Sequence, residues 1–107
     1  MWKKTSPTIK DVRYIMASDP SGEVARAYGV YQKHSGLAIR GRFIIDPKGV
    51  VRAVEMLYPP VGRNVAELIR QIKAMQAVDA NPGMGAPAGW KPGDKLIHTG
   101  KDYIGVY

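Results

Sequence analysis

"RGRFIIDPKGVVRAVEM", running from Arg40 to Met56, is the stretch on which the fold turns. Two runs rich in β-branched residues flank Asp46-Pro47-Lys48-Gly49. Asp at the first turn position, Pro at the second and Gly at the fourth suit a type I turn. The flanking runs should therefore pair as an antiparallel hairpin, roughly Arg42–Ile45 with Val50–Met56. "FII" is continuously apolar, the pattern of a strand covered on both faces. Arg52 and Glu55 mark the second run as an edge strand, a natural docking site for another chain.

Upstream, "VRYIMASDPSG" reads as a short strand, Val12 to Ala17, ended by turn residues. Asp19-Pro20 then predicts a helix start, because the carboxylate can cap free N–H groups and proline has no N–H to lose. Val24, Ala27 and Tyr28 form an apolar stripe, and Gly29 closes the helix in the left-handed conformation. Downstream, Tyr58-Pro59-Pro60 and Gly62 break the pattern. Asn64, with Glu67 three residues on, predicts a helix N-cap close to a capping box. Val65, Leu68, Ile69, Ile72 and Met75 share one face of that helix, spacing that implies core packing; Arg70 and Lys73 lie off it. From Asp79 the composition shifts. "NPGMGAPAGWKPGD" is dense in proline and glycine, with little to bury except Trp90. Such a segment cannot offset its ordering entropy alone. The late cluster Tyr103, Ile104, Val106 and Tyr107 favours an arm laid across another surface.

Composition narrows the function classes. The 107 residues suffice for one domain with a modest core. Sixteen Lys and Arg against nine Asp and Glu give a net charge of +7. The positive residues are spread along the chain, with no block longer than Lys3-Lys4, so the concentrated basic face of a nucleic-acid binder is not expected. No apolar run is long enough to span a bilayer. "MWKKTSPT" lacks the apolar core of a secretory signal, and a cytoplasmic protein is expected. Cysteine is absent, which excludes a disulfide, a thiolate nucleophile and a cysteine metal site. His34 and His98 have no partner at ligand spacing. Neither a phosphate-cradling glycine loop nor a Gly-x-Ser-x-Gly elbow occurs. No cofactor and no metal are expected, and the chain's own residues offer no nucleophile arrangement.

The blocks "SDPSGEVARAYGVY", "GLAIRGRFIIDPKGVVRAVE", "PVGRNVAELIR" and "PAGWKPGD", in this order, resemble the C-terminal half of a typical two-cysteine peroxiredoxin. This is the alkyl hydroperoxide reductase C subunit / thiol-specific antioxidant family, and the likeness runs from Trp2 to the end. It implies an α/β, partial thioredoxin-like fold: residues 1–78 as the C-terminal part of the domain and 79–107 as an extended arm. Members of the family reduce hydrogen peroxide and organic hydroperoxides. A peroxidatic cysteine in a Pro-x-x-x-Thr-x-x-Cys motif becomes a sulfenic acid, and a resolving cysteine in the partner's C-terminal arm then forms a disulfide with it. Two departures stand out. The N-terminal half with that motif has no counterpart here, and the family's "VCPAGW" is "GAPAGW", so Ala86 occupies the resolving position.

Two arginines match functional positions of the family. Arg40, in "IRGRFIID", falls where an arginine holds the peroxidatic thiolate and hydrogen-bonds the peroxide. A guanidinium suits this, since it lowers a nearby thiol's pKa and stabilises charge on the leaving oxygen. Arg63, in "PVGRNV", matches a second arginine of the same ionic network. Neither acts without a thiolate or selenolate beside it, so the chain alone is expected to be inactive and to meet peroxide only when that group is supplied.

The resemblance also places two parallel strands, from the absent half, between "VRYIMA" and the hairpin. Without them, each unpaired backbone group costs about 1–3 kcal/mol if buried. The expected partners are a second copy, through the hairpin edge strand and the arm, or a peroxiredoxin N-terminal half. The competing reading is a non-catalytic dimerisation module that binds full-length relatives. Some relatives carry selenocysteine at the peroxidatic position, encoded by a codon that reads as stop. A gene so misread would restart at a downstream methionine such as Met1.

Overall fold

The computed structural model describes residues 5–106. Met1, Trp2 and Tyr107, each part of an expectation above, lie outside the described residues. The chain divides into two compact units, one up to Ile39 and one from Arg40 onward.

In the first unit, helix α1 spans Glu23–Ala27. Asp19 caps it as expected, its carboxylate accepting from the Val24 (3.3 Å) and Ala25 (2.9 Å) amides. The helix begins later than Pro20, because Gly22 donates to the Asp19 carbonyl and closes a turn first. Gly29, at φ 70°, ends it by donating to the Arg26 carbonyl. The expected stripe is not the buried face. Val24, Ala27 and Tyr28 are exposed, and Ala25 is buried instead together with Val30. Strands β1 (Tyr31–Gln32) and β2 (Leu37–Ala38) pair antiparallel, and the Arg26 guanidinium lies 4.0 Å from the Tyr31 ring centroid. The strand expected over Val12–Ala17 does not form, and Ile15 is 96% exposed. A strand exists only by pairing its backbone groups, and no described segment pairs with this one.

The second unit opens with the hairpin. β3 (Gly41–Ile45) pairs antiparallel with β4 (Val51–Met56). Gly49 donates to the Asp46 carbonyl at 2.9 Å, closing the expected turn. The Asp46 carboxylate accepts from the Lys48 and Val50 amides, each at 2.9 Å, and from Arg52 Nε at 2.7 Å. Between Ile44 and Ile45 the register steps by one, from Ile44↔Ala53 to Ile45↔Val51, leaving Arg52 unmatched as in a β-bulge. "FII" is not covered on both faces. Phe43 and Ile44 are half-buried and Ile45 is exposed, since β3 has β4 as its one neighbour among the described strands.

This turn makes the hairpin acid-sensitive. The Val50 amide, the Arg52 guanidinium and the Lys48 amide hold the Asp46 carboxyl below its ordinary value of 3.8, against the opposing effect of desolvation. A carboxylate with a depressed folded-state pKa stabilises the fold above its unfolded pKa, and loses that contribution as pH falls through the folded value. Acidification below about pH 4 should therefore loosen the turn. Asp46→Asn keeps an acceptor but does not titrate, so the acid response of the Lys48 and Val50 amide NMR signals should flatten. An unchanged acid response would assign it to another group.

Helix α2 spans Val65–Asp79. The Asn64 side chain accepts from the Glu67 amide at 3.1 Å, as its sequence position predicts. The reciprocal half of the capping box does not form. Glu67 is occupied by Arg70, at 2.7 Å from Nε and from NH2, and by Gln71. Core packing of the stripe is only partly realised: Leu68, Ile72 and Met75 are half-buried, whereas Val65 and Ile69 are exposed. No residue of α2 is fully buried.

The proline-glycine segment closes part of its length into a loop. β5 (Met84–Gly85) pairs antiparallel with β6 (Ile97–His98), and the Thr99 amide and hydroxyl both donate to the Gly83 carbonyl. Inside the loop Trp90 is 6% exposed, the one buried residue described from Arg40 onward. Its indole N–H donates to the Asp94 carbonyl (3.0 Å), and its own carbonyl accepts from Arg70 NH1 (2.8 Å). Beyond the loop a 3-10 turn covers Lys101–Tyr103, with Tyr103 stacked on His98, while Ile104 and Val106 are exposed. Among the described residues no helix is long and apolar enough to cross a membrane.

Candidate functional site

Residues i and i+2 along a strand share a face, and Arg40, Arg42 and Ile44 follow that alternation into β3. Across the hairpin the chain leaves β4 into the 57–64 loop, where Val61 donates to the Tyr58 carbonyl at 2.8 Å. Both arginines reach this loop. Arg40 NH1 donates to the Pro59 carbonyl at 3.4 Å, a long and solvent-exposed bond. Arg42 NH1 donates to the Asn64 carbonyl at 3.3 Å, and its NH2 pairs with Glu55 Oε1 at 2.9 Å. The loop that carries Arg63 is thus fastened twice to the strand that follows Arg40.

The two arginines singled out in the sequence are both exposed. Arg40 spends one of its five N–H donors on Pro59. Arg63 sits directly before the helix cap Asn64 and makes no hydrogen bond or ion pair with the described residues. What this arrangement offers is uncommitted N–H donors on two exposed guanidiniums, one entering the hairpin and one on the loop that follows it. Such groups stabilise an anion or charge developing on an oxygen. The 107 residues contain no cysteine for them to serve.

Two features escaped the sequence reading. Arg42 faces Glu55 because of the register step in the hairpin. Without it a residue-by-residue count from the turn would set Arg42 opposite Val54. The second feature is a groove of about 810 Å³ walled by the hairpin, by α2 and by residues 85–88. Ala86 is part of its lining.

Residues 2–54 match the model of the AhpC/TSA family, and residues 74–104 match the C-terminal domain of 1-Cys peroxiredoxin. Alkyl hydroperoxide reductase C of Amphibacillus xylanus is 40% identical over 104 residues, covering 97% of this chain and 55% of that protein. The selenocysteine-containing peroxiredoxin PrxU of Peptoclostridium acidaminophilum is 46% identical over 95 residues, covering 88% of this chain and 47% of that protein. Among solved structures, the reduced 2-Cys peroxiredoxin of Plasmodium vivax superposes with a TM-score of 0.78 at 26% identity, over 89% of this chain and 50% of that one. The chain spans about half the length of the curated relatives it matches. Two matching segments in the family's order, relatives near 40% identity along almost the whole chain and the shared fold agree: the chain belongs to the peroxiredoxin family and forms the C-terminal part of its α/β, thioredoxin-like fold.

Proposed function

We propose that this chain supplies the anion-stabilising arginines of a peroxidase whose reactive sulfur or selenium is not among these residues. The observation that carries the reading is Arg40, held beside the loop that bears an uncommitted Arg63, in a chain without cysteine. In the reaction a thiolate or selenolate attacks one peroxide oxygen. A chalcogen–oxygen bond forms, the O–O bond breaks, and the departing oxygen leaves with the electron pair and takes up a proton. Arg40 hydrogen-bonds the peroxide and the charge on the departing oxygen, and Arg63 adds positive potential to the same place. The substrates are hydrogen peroxide and organic hydroperoxides, met in the cytoplasm. Residues 1–78 complete a thioredoxin-like domain, and residues 79–107 form the arm that packs on a second copy. Ala86 at the resolving position suits an enzyme with a single chalcogen, as does the similarity to a selenocysteine-containing relative and to a 1-Cys C-terminal domain.

Complementation tests this. The chain alone should not consume peroxide. Mixed with a separately produced peroxiredoxin N-terminal half that carries the reactive cysteine, it should bind and restore peroxide consumption. Binding without any activity would reject the catalytic role. A second reading, a non-catalytic module, draws on the exposed apolar residues Val51, Val54 and Met56 of β4. It requires capture of full-length relatives and no gain of activity in the mixture.

A further inference from the structure

We propose that Arg42 is a positioning residue: seated on Glu55, it holds the 57–64 loop by the Asn64 carbonyl and so fixes Arg63 relative to Arg40. The inference rests on the role given above to that arginine pair. Arg63 has no side-chain bond among the described residues, so its place is set by the backbone next to it, and that backbone is Asn64. The Asn64 carbonyl accepts from Arg42 NH1 at 3.3 Å and from the Leu68 amide at 3.2 Å, while its side chain caps the Glu67 amide. One residue therefore couples strand, loop and helix start. Both bonds to the loop are exposed, at 3.4 Å from Arg40 and 3.3 Å from Arg42; what sets Arg42 apart is that an ion pair with Glu55 holds its guanidinium in place.

Arg42 is itself well fixed. Its side chain is 14% exposed, which limits the screening of its 2.9 Å ion pair with Glu55, while its bond to the Asn64 carbonyl lies at the exposed rim. Glu55 Oε2 is buried and has no hydrogen-bond partner, so the Arg42 guanidinium is the compensation this carboxylate has. An arginine is needed rather than a lysine. The planar fork presents NH2 to the carboxylate and NH1 to a carbonyl on another element in one rigid geometry, which the single flexible ammonium of a lysine does not reproduce.

Removing Arg42 alone leaves the Glu55 charge uncompensated and can unfold the hairpin, so the test uses Arg42→Met combined with Glu55→Met, beside Arg42→Lys. On the 107-residue chain, the double variant should keep the amide dispersion of Gly41–Met56. The Val61 amide, which donates to the Tyr58 carbonyl within the loop, should exchange with solvent about tenfold faster, the size of one lost charge-assisted hydrogen bond. Arg42→Lys should restore only part of that protection. Unchanged exchange of the Val61 amide in a folded double variant overturns the proposal. In the complemented peroxidase the double variant should also move the pH midpoint of chalcogen alkylation upward and lower kcat/KM about threefold, less than the loss of Arg63 itself, as a displaced charge does. A loosened loop with an unmoved pH midpoint in an active complex refutes the positioning role. If the complemented wild type is inactive, the catalytic reading fails on its own, and the exchange measurement still judges the Arg42 tether.

Discussion

Replacing Arg40 with methionine should lower kcat/KM for hydrogen peroxide in the complemented enzyme by about a hundred- to a thousandfold, the usual cost of losing one preorganised donor to a developing oxyanion. Methionine keeps much of the stem and removes every N–H donor along with the charge. Two effects then add. The thiol loses a neighbouring cation and ionises at higher pH, and the departing oxygen loses its hydrogen bond. The first effect moves the pH profile upward; the second lowers its plateau. Arg63→Met should cost less, about tenfold, because a head group with no partner among the described residues is a less preorganised donor. A selenocysteine form separates the two effects for Arg40. A selenol is already ionised at neutral pH, so its profile should stay in place while the plateau still falls. Stopped-flow peroxide consumption against pH, in cysteine and selenocysteine forms, measures both. An Arg40→Met enzyme within threefold of wild type would remove Arg40 from the chemistry.

Whether a feature could be read in the sequence depended on how local its cause is. The hairpin was legible because Asp46, Pro47 and Gly49 act within their own turn. The Asn64 cap was legible because its partner is three residues away. The strand over Val12–Ala17 was not, since β-branched and aromatic residues form a strand only beside a partner, and none of the described segments provides one. The stripe on α2 had the right spacing, yet Val65 and Ile69 remain exposed, because periodicity marks a face without supplying what covers it. Arg42 and Glu55 meet through a bulge that no pattern of residues announces. Arg70 binds a backbone carbonyl twenty residues on, a contact with no side-chain partner to look for. Arg40 and Arg63 stood out through family resemblance alone; by composition and spacing they are surface arginines.

The largest loss of stability should follow Trp90→Ala. Trp90 lies at the junction between α2 and the loop closed by β5 and β6, and it is the buried residue of its unit. Truncating a buried tryptophan costs about 3–5 kcal/mol, the sum of lost transfer energy and an unfilled cavity. Little else holds this loop. The β5–β6 ladder is two residues long on each side, and the Arg70–Trp90 bond needs the Trp90 carbonyl to stay in place. The Thr99 amide, which donates to the Gly83 carbonyl at the end of the β5–β6 ladder, should therefore lose exchange protection, and a protease should cut between residues 86 and 96. Helix α2 should persist, because the Asn64 cap and the Glu67–Arg70 pair do not involve Trp90's side chain. Trp90→Phe keeps most of the apolar bulk but drops the donor to the Asp94 carbonyl, so it should cost about 1 kcal/mol. Arg70→Met breaks the tether and leaves the indole buried, so protection should fall less than in Trp90→Ala. If Trp90→Ala leaves the Thr99 amide protected, Trp90 does not anchor the loop. If instead the loop opens, Ala86 leaves the groove wall with it, so the place of Ala86 depends on a side chain four residues away.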